Sequence, residues 1–191
     1  NVGKTSIVNS YIYNNYNNTT ESTIGVMFTS KTIKVKYCKG LNEIHNDDNL
    51  NRTTLNVKLH IWDTAGQEKY RALAPMYFRN ADILFYVNDV TSKNIRYNIK
   101  NDVLELLKDN CLKVIIFNKI DLPNNYNINQ YESNSDYIYK AVSAKNRINI
   151  DELFELSVHK FLKINLNYLL KKNNNNNNII LEDNLITNNC C

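Results

Sequence analysis

Residues 1–6 read NVGKTS, and a helical pattern of apolar residues from Ile7 to Ile12 follows them. Gly3, Lys4 and Thr5 match the last three positions of the phosphate-binding pattern G-x-x-x-x-G-K-[ST]. In such a loop, backbone N–H groups and the helix dipole face an anion, lysine adds positive charge near the β- and γ-phosphates, and threonine offers a hydroxyl to Mg²⁺. The match is partial, because the first glycine of the pattern would lie upstream of the given sequence. Taken alone, it is as readily a coincidence as a phosphate loop.

Four segments have the pattern of strands. Alternating apolar residues indicate a hairpin over 28–37 and 55–61, with one face buried. Short continuous apolar runs at 83–87 and 114–117 indicate buried parallel strands. A further, weaker strand is expected at 137–142.

Helices are expected at 94–108, between the two buried strands, and at 151–165, where the amphipathic pattern is strongest. Strands that alternate with helices predict an α/β fold with a mostly parallel sheet and helices on both faces. One domain is therefore expected over 1–164, with a long hairpin-loop insertion around 38–54. An asparagine-rich tail, expected to be disordered, occupies 165–191.

The bulk composition of the 191 residues excludes several classes of protein. The formal net charge is only +4, and acidic residues are spread along the chain, so no nucleic acid is expected as a partner. No apolar run is long enough to cross a bilayer. The four cysteines have neither a disulfide nor a metal-ligand spacing, which favours a reducing compartment.

A second candidate element, DTAGQE at 63–68, lies where the second hairpin strand ends. An aspartate in this place can hold Mg²⁺ through a water molecule, which makes Asp63 a candidate metal ligand. Gly66 lets a backbone N–H approach a γ-phosphate closely, and Gln67 is suited to orienting a water molecule. An ordinary turn after a strand would favour the same aspartate and glycine.

The third element, NKID at 118–121, directly follows a buried strand. The Asp121 carboxylate can accept two N–H bonds from the N1 and 2-amino edge of guanine, a pattern that adenine lacks. Asn118 is suited to bracing neighbouring loops, and the stem of Lys119 to packing on a base. The fourth element, SAK at 143–145, offers a backbone N–H to guanine O6, although it is unspecific alone.

The order and spacing of these four elements decide the interpretation, because each follows an expected strand, where the ligand sites of parallel sheets lie. In this order they resemble the small GTPases of the Ras superfamily, and more closely the Rab family, over about 1–164. Residues 69–79 are similar to the second switch of the endocytic Rab branch. The resemblance implies a P-loop GTPase fold in which this chain lacks the first strand. The GTP-binding residues that it implies are Asn1, Val2, Gly3, Lys4, Thr5, Ser6, Tyr16, Thr23, Gly66, Asn118, Lys119, Asp121, Ser143, Ala144 and Lys145.

The segment 21–25 resembles the first switch, in which Thr23 would contact Mg²⁺ and the γ-phosphate. Its spacing from Thr5 is that of the superfamily pattern. The same alignment places Tyr16 where an aromatic ring packs on guanine. Three aromatic residues match the triad that many Rabs present to effectors, although core packing is an alternative for them: Phe28, Trp62 and Tyr77.

The resemblance implies a molecular switch that binds GTP and Mg²⁺, hydrolyses GTP to GDP, and recruits effectors of vesicle traffic in the GTP state. Catalysis would rest on Gln67, Lys4, Thr23 and Gly66, and the metal on Thr5, Thr23 and, through water, Asp63. No arginine finger is evident in the chain, so fast hydrolysis is expected to need a GTPase-activating protein. A guanine nucleotide exchange factor is the second expected regulator.

The last two residues, Cys190 and Cys191, resemble a Rab prenylation site, and two prenyl chains give lasting membrane attachment. A prenylation escort and a GDP-dissociation inhibitor are then expected partners. The expected location is the cytoplasmic face of endomembranes, including endosomes, in exchange with the cytosol.

Some positions depart from the family pattern. Met27 stands where Rabs often have an acidic or small residue, Asn88 where an aromatic is common, and the stretch from Asp121 to Ser143 is short. These departures leave open a GTP-binding interaction scaffold with little or no hydrolysis. A chain that lacks the first strand is also expected to bind GTP weakly. An RNA-binding protein is a third, weaker alternative.

Overall fold

A computed structural model describes the backbone of residues 2–16, 25–38, 52–64, 74–93, 95–96, 98–123, 136–172 and 179–188. Six strands lie in this part of the chain: β1 (Val26–Cys38), β2 (Arg52–Thr64), β3 (Ile83–Asp89), β4 (Leu112–Asn118), β5 (Ile138–Ala141) and β6 (Ile179–Asn188). The described helices are α1 (Lys4–Tyr13), α2 (Ala74–Phe78), α3 (Asn101–Leu104) and α4 (Ile150–Lys172).

The sheet has the order β1-β2-β6-β3-β4-β5. β1 and β2 form the expected antiparallel hairpin, in which Phe28 pairs with Trp62. β2, β6, β3, β4 and β5 run parallel to one another. The α/β prediction with a mostly parallel sheet is therefore confirmed, and the carboxyl ends of the parallel strands share one edge, which we call the carboxyl edge.

Helices cover both faces of the sheet, as the sequence predicts. Alternate residues of β3 point to opposite faces, because side chains alternate along a strand. Phe85 belongs to a buried cluster with Tyr11 of α1 and Phe154 of α4. The rings of Tyr11 and Phe154 are stacked, with their centroids 3.7 Å apart. Tyr86, its neighbour on β3, lies in a second cluster on the other face, together with Phe78 of α2.

α3 is much shorter than the helix expected over 94–108. Its α-helical part is confined to Asn101–Leu104. The side-chain oxygen of buried Asn88 accepts a hydrogen bond from the backbone N–H of Arg96, 3.1 Å away. This bond pairs a backbone group of the segment between β3 and α3 with the preceding strand.

The observed boundaries of the strands and helices differ from the predicted ones at the hairpin and in the tail. β2 begins at Arg52, so part of the loop expected at 38–54 is strand, while 39–51 lie outside the described residues. α4 continues to Lys172, past the expected domain boundary at 164. Residues 179–188, expected to be disordered, form β6 between β2 and β3. The short period-two pattern of this segment is weak, and polar Glu182-Asp183-Asn184 interrupts it.

Candidate nucleotide-binding site

The carboxyl edge gathers the three sequence elements that follow described strands. Asp63 lies at the end of β2, Asn118 ends β4, and Ser143 lies two residues after the end of β5. The side chains of all three are buried. The start of α1 joins them, because the side chain of Asn118 contacts the residue before Gly3. This edge is where ligands bind in open parallel sheets.

The phosphate-loop candidate is built on the left-handed backbone of Gly3, whose φ of 90° suits glycine. Gly3 caps α1, and its carbonyl accepts the N–H of Ile7 at 3.0 Å. The helix therefore starts directly at Lys4, which is buried, and Ser6 is buried in the first turn. The helix N-terminus and this lysine provide the positive potential that a phosphate needs.

Asn118 braces two loops, as its amide side chain predicts. Its Nδ2 donates to the carbonyl of Val2 at 2.9 Å, and its Oδ1 accepts the N–H of Ala144 at 3.1 Å. The contact is so close that a Cβ added to Gly3 would lie 2.4 Å from Asn118 Nδ2. Asn118 thus ties the phosphate-loop candidate to the SAK element. Its closeness to position 3 leaves room there only for glycine.

The two described metal-ligand candidates meet at the same edge. The Thr5 hydroxyl donates to Oδ2 of Asp63, with an oxygen–oxygen distance of 2.5 Å. Hard oxygen donors of this kind fit Mg²⁺, which keeps several waters and needs few protein ligands. No cluster of three or more His, Cys, Asp or Glu side chains lies in the described part of the chain. The two oxygen donors of Thr5 and Asp63 fit an ion that takes its other ligands from waters and phosphates.

The base-recognition candidates also meet. The Ser143 hydroxyl donates to Oδ1 of Asp121 at 2.5 Å and accepts the N–H of Asn146 at 3.0 Å. These bonds involve Oδ1 of Asp121, and Lys145 is exposed. The N–H of Ala144 is already bonded to Asn118, so this residue braces the loop, and the donor to guanine O6 stays a prediction.

Sequence reasoning missed the partner of Lys119. Its amine lies 2.5 Å from Oδ2 of Asp89, the last residue of β3. Oδ1 of Asp89 accepts both the N–H and the hydroxyl of Thr91, at 2.9 and 2.7 Å. Burial acts to raise the pKa of Asp89, but hydrogen bonds from Lys119 and Thr91 prevail and lower it below its usual value. A carboxylate at the end of a buried parallel strand was the available signal.

Arg147, just after the SAK element, was also missed. Its guanidinium forms a bidentate pair with Asp151, with both Nη2–oxygen distances 2.8 Å. It also donates to the carbonyl of Ser10 at 3.1 Å and to the side chain of Asn14, at the end of α1. The loop that contains Ser143 is thereby tied to the helix that begins with the phosphate-loop candidate.

The three aromatic residues predicted for effectors form a continuous row. Phe28 and Trp62 lie 4.8 Å apart between ring centroids, and Trp62 and Tyr77 lie 5.0 Å apart. Phe28 is 52% exposed, whereas Trp62 and Tyr77 are partly buried against the cluster that contains Phe78. The row therefore combines an exposed surface with core packing, the two alternatives raised by the sequence.

Several predicted site residues lie outside the described residues: Asn1, Thr23, Gly66, Gln67, Cys190 and Cys191. Tyr16 is partly buried against the cluster that contains Tyr11 and Phe154. No helix in the described part of the chain is long and apolar enough to cross a membrane.

Comparison with known proteins gives a consistent result. The Ras family matches residues 1–163. The ras-related protein Rab-5B of Dictyostelium discoideum is 39% identical over 162 residues, which are 81% of this chain and 67% of that protein. The human Ras-related protein Rab-31 is 35% identical, over 81% of this chain and 74% of its own length. The GTP-binding protein YPT52 of Saccharomyces cerevisiae is 38% identical over 63% of this chain and 50% of its own length.

Proposed function

Since the chain belongs to the Ras family, and within it to the endocytic branch of the Rab small GTPases, we propose that its carboxyl edge is the site of a GTP-driven switch. The protein is a GTP-binding regulatory GTPase of membrane traffic. In the GTP state the switch would recruit effectors, and hydrolysis would release them.

The observation that carries this proposal is the double hydrogen bond of Asn118 to Val2 and Ala144. It joins a phosphate-binding turn to a base-binding loop through one buried side chain. A nucleotide needs both parts at a fixed separation, because its phosphates and base are linked through one sugar. Asp121 then supplies selectivity for guanine, since its carboxylate accepts N–H donors that adenine lacks.

Metal binding would rest on the Thr5 and Asp63 pair, joined by Thr23 in the GTP state. The Thr5 hydroxyl would turn from Asp63 to the ion, and Asp63 would hold a water ligand. When bound, Mg²⁺ supplies positive charge beside the β- and γ-phosphate oxygens. Lys4 adds a second positive charge at the start of α1.

For hydrolysis, Gln67 would orient the attacking water, and the N–H of Gly66 would hold the γ-phosphate. A neutral amide orients water without removing its proton, so intrinsic turnover would be slow. An arginine supplied by a GTPase-activating protein would stabilise the transition-state charge, and such a group raises turnover by about 10³–10⁵-fold.

The direct experiment is single-turnover hydrolysis of GTP by the full chain and by Gln67→Leu. The variant should bind GTP as the parent does but hydrolyse it much more slowly, both alone and with a GTPase-activating protein. Gln130→Leu is a matched control at a position with no expected role in the site, and it should hydrolyse at the parental rate. Equal rates for Gln67→Leu and the parent would show that Gln67 has no part in hydrolysis.

Effectors would dock on the row formed by Phe28, Trp62 and Tyr77. Phe28 is 52% exposed and offers apolar area at one end of the row. Aromatic and methionine side chains are enriched at protein interfaces.

Membrane attachment would come from prenylation of Cys190 and Cys191. β6 ends at Asn188, so the sheet-bound tail leaves a single residue between the sheet and this cysteine pair. A lipid-anchored state would therefore require β6 to leave the sheet or the membrane to approach the carboxyl edge. The proposed partners in this cycle are a prenylation escort, a GDP-dissociation inhibitor and an exchange factor, with endosomal membranes as the destination.

A further inference from the structure

We propose that Asp89 is a positioning residue for nucleotide binding, which acts by holding the amine of Lys119 so that the aliphatic stem of the lysine forms a preset platform for the base. This inference rests on the proposed function. Asp89 itself would not touch the nucleotide. Its role would be to fix the conformation of a side chain that does.

The geometry fixes both ends of this contact. Asp89 and Asn118 are paired residues at the ends of β3 and β4, and the N–H of Val90 donates to the carbonyl of Asn118 at 3.0 Å. Lys119 follows in a left-handed conformation with a φ of 71°. Its amine returns across the strand ends to Asp89, 2.5 Å away. The backbone on each side of the ion pair is therefore held by the sheet.

The carboxylate of Asp89 is also fixed against rotation. Both hydrogen bonds from Thr91 reach Oδ1, which leaves Oδ2 directed at Lys119. The side chain of Asp89 is 15% exposed and that of Lys119 is 31% exposed, so the pair is sheltered. A lysine loses considerable rotamer freedom when it is ordered. An anchor that orders it before the nucleotide arrives removes this cost from binding.

This role predicts a pattern of nucleotide selectivity. A platform packs against the face of a base, and the faces of guanine and hypoxanthine are alike. Loss of the anchor should therefore weaken the binding of GDP and of inosine diphosphate by the same factor. Asp121 reads the edge of the base, so changing Asp121 should alter the ratio of the two affinities. The chemical step on bound GTP should be unaffected by loss of the anchor.

The test measures GDP dissociation from the full chain, from Asp89→Asn, from Lys119→Met and from the double variant. Lys119→Met keeps an apolar stem but has no amine to anchor. Each single change should speed dissociation roughly tenfold, the order expected for one charge-assisted hydrogen bond. The double variant should be no faster than the faster single variant, because both changes remove the same contact.

Asp82→Asn is a matched control. Asp82 precedes β3, at the opposite end of the strand from Asp89, and it forms a comparable sheltered pair with Lys108. Its loss should lower thermal stability without changing the dissociation rate of GDP beyond twofold or so. Asp89→Glu, which can still reach a flexible lysine, should restore slow dissociation in part. Thr91→Val provides a milder change that keeps the ion pair, and it should speed dissociation less than Asp89→Asn.

Three results would overturn the inference. They are an unchanged GDP dissociation rate in Asp89→Asn, a rate increase in the double variant equal to the product of the two single increases, or unequal losses of affinity for GDP and inosine diphosphate. Failure of the proposed function is distinguishable from these. It would appear as absence of guanine nucleotide binding by the parent chain itself. If the parent binds GDP and Asp89→Asn releases GDP at the parental rate, only the positioning role of Asp89 is rejected.

Discussion

A Cβ atom on Gly3 would lie 2.4 Å from Nδ2 of Asn118, so the turn before α1 and the loop after β4 meet where only a hydrogen atom fits. Real Cβ atoms do not approach other atoms this closely, so Asn118 would have to move. That movement would break its bond to Val2 or its bond to Ala144.

Gly3→Ala should therefore weaken GDP binding by about 10- to 100-fold, from strain at a positive φ together with the displaced Asn118. Isothermal titration with GDP measures the change. Gly25→Ala is the matched control, because Gly25 also has a positive φ, of 79°, but nothing lies within 4 Å of its added Cβ. Equal losses in the two variants would show that backbone strain, and not the contact with Asn118, is responsible.

Asn118→Ala and Asn118→Asp separate the two bonds that Asn118 makes. Alanine removes both, and each buried group left unpaired costs about 1–3 kcal/mol. Aspartate can still accept the N–H of Ala144, but it cannot donate to the carbonyl of Val2. Urea denaturation should rank the parent above both variants. If both variants have the same stability and the same GDP affinity as the parent, Asn118 has no bracing role.

Thr5→Ala should make GDP dissociation less sensitive to Mg²⁺, because one expected ligand is lost while the phosphate contacts remain. Dissociation of a fluorescent GDP is measured as Mg²⁺ is titrated and then removed with EDTA. Asp63→Asn should have a similar but smaller effect, since an amide oxygen still holds water. Thr54→Ala, an exposed position on β2, is the control and should behave as the parent. A parental Mg²⁺ response in Thr5→Ala would contradict the metal assignment.

Burial raises the pKa of the Cys111 thiol from 9.0 to about 12. A raised folded-state pKa means that the native protein keeps a proton that the unfolded chain releases between these values. The free energy of unfolding should thus be insensitive to this group below about pH 9 and fall as the pH rises towards 12. In the native state Cys111 should react slowly with a thiol reagent near pH 8, because the thiolate is the nucleophile. Cys111→Ala supplies the background from the other cysteines. An additional thiol that reacts rapidly in the native parent and is missing from this variant would contradict the assignment.

Ile186→Pro should destabilise the sheet, because Ile186 pairs with Trp62 on one side and Leu84 on the other. Proline cannot donate a ladder hydrogen bond, and central strands exclude it. A loss of about 1–3 kcal/mol is expected in urea denaturation. Leu181→Pro is the comparison, since Leu181 lies where the register between β2 and β6 shifts, between the pairs at Lys58 and His60. Unchanged stability in Ile186→Pro would show that the tail does not contribute a strand in solution.

The strands that position the site were predictable because their patterns are simple. β3 and β4 are buried on both faces, so each is a continuous apolar run, and the hairpin alternates because one face is covered. The motifs then fell at strand ends, and their order indicated the carboxyl edge. Asn118 was recognised as a brace from its chemistry alone.

The remaining features depend on contacts between distant residues, which local patterns do not show. The helix expected at 94–108 is shorter in the described residues, at Asn101–Leu104, and the N–H of Arg96 bonds instead to Asn88 of the preceding strand. β6 was missed because its pairing with β2 and β3 arises from a segment with few alternating apolar residues. The Asp89–Lys119 pair joins two strand ends 30 residues apart in sequence, a separation that no local motif covers.

The central claim is that the carboxyl edge binds guanine nucleotides through Asp121, and competition for a fluorescent GDP on the full chain tests it most directly. Unlabelled GDP should displace the probe about 10⁴-fold more effectively than ADP, because a site built to bond N–H donors rejects a base that lacks them. Asp121→Asn should lose most of this preference and gain affinity for xanthosine diphosphate, whose 2-oxo group accepts from the new amide. Equal displacement by GDP and ADP, or an unchanged preference in Asp121→Asn, would contradict the account.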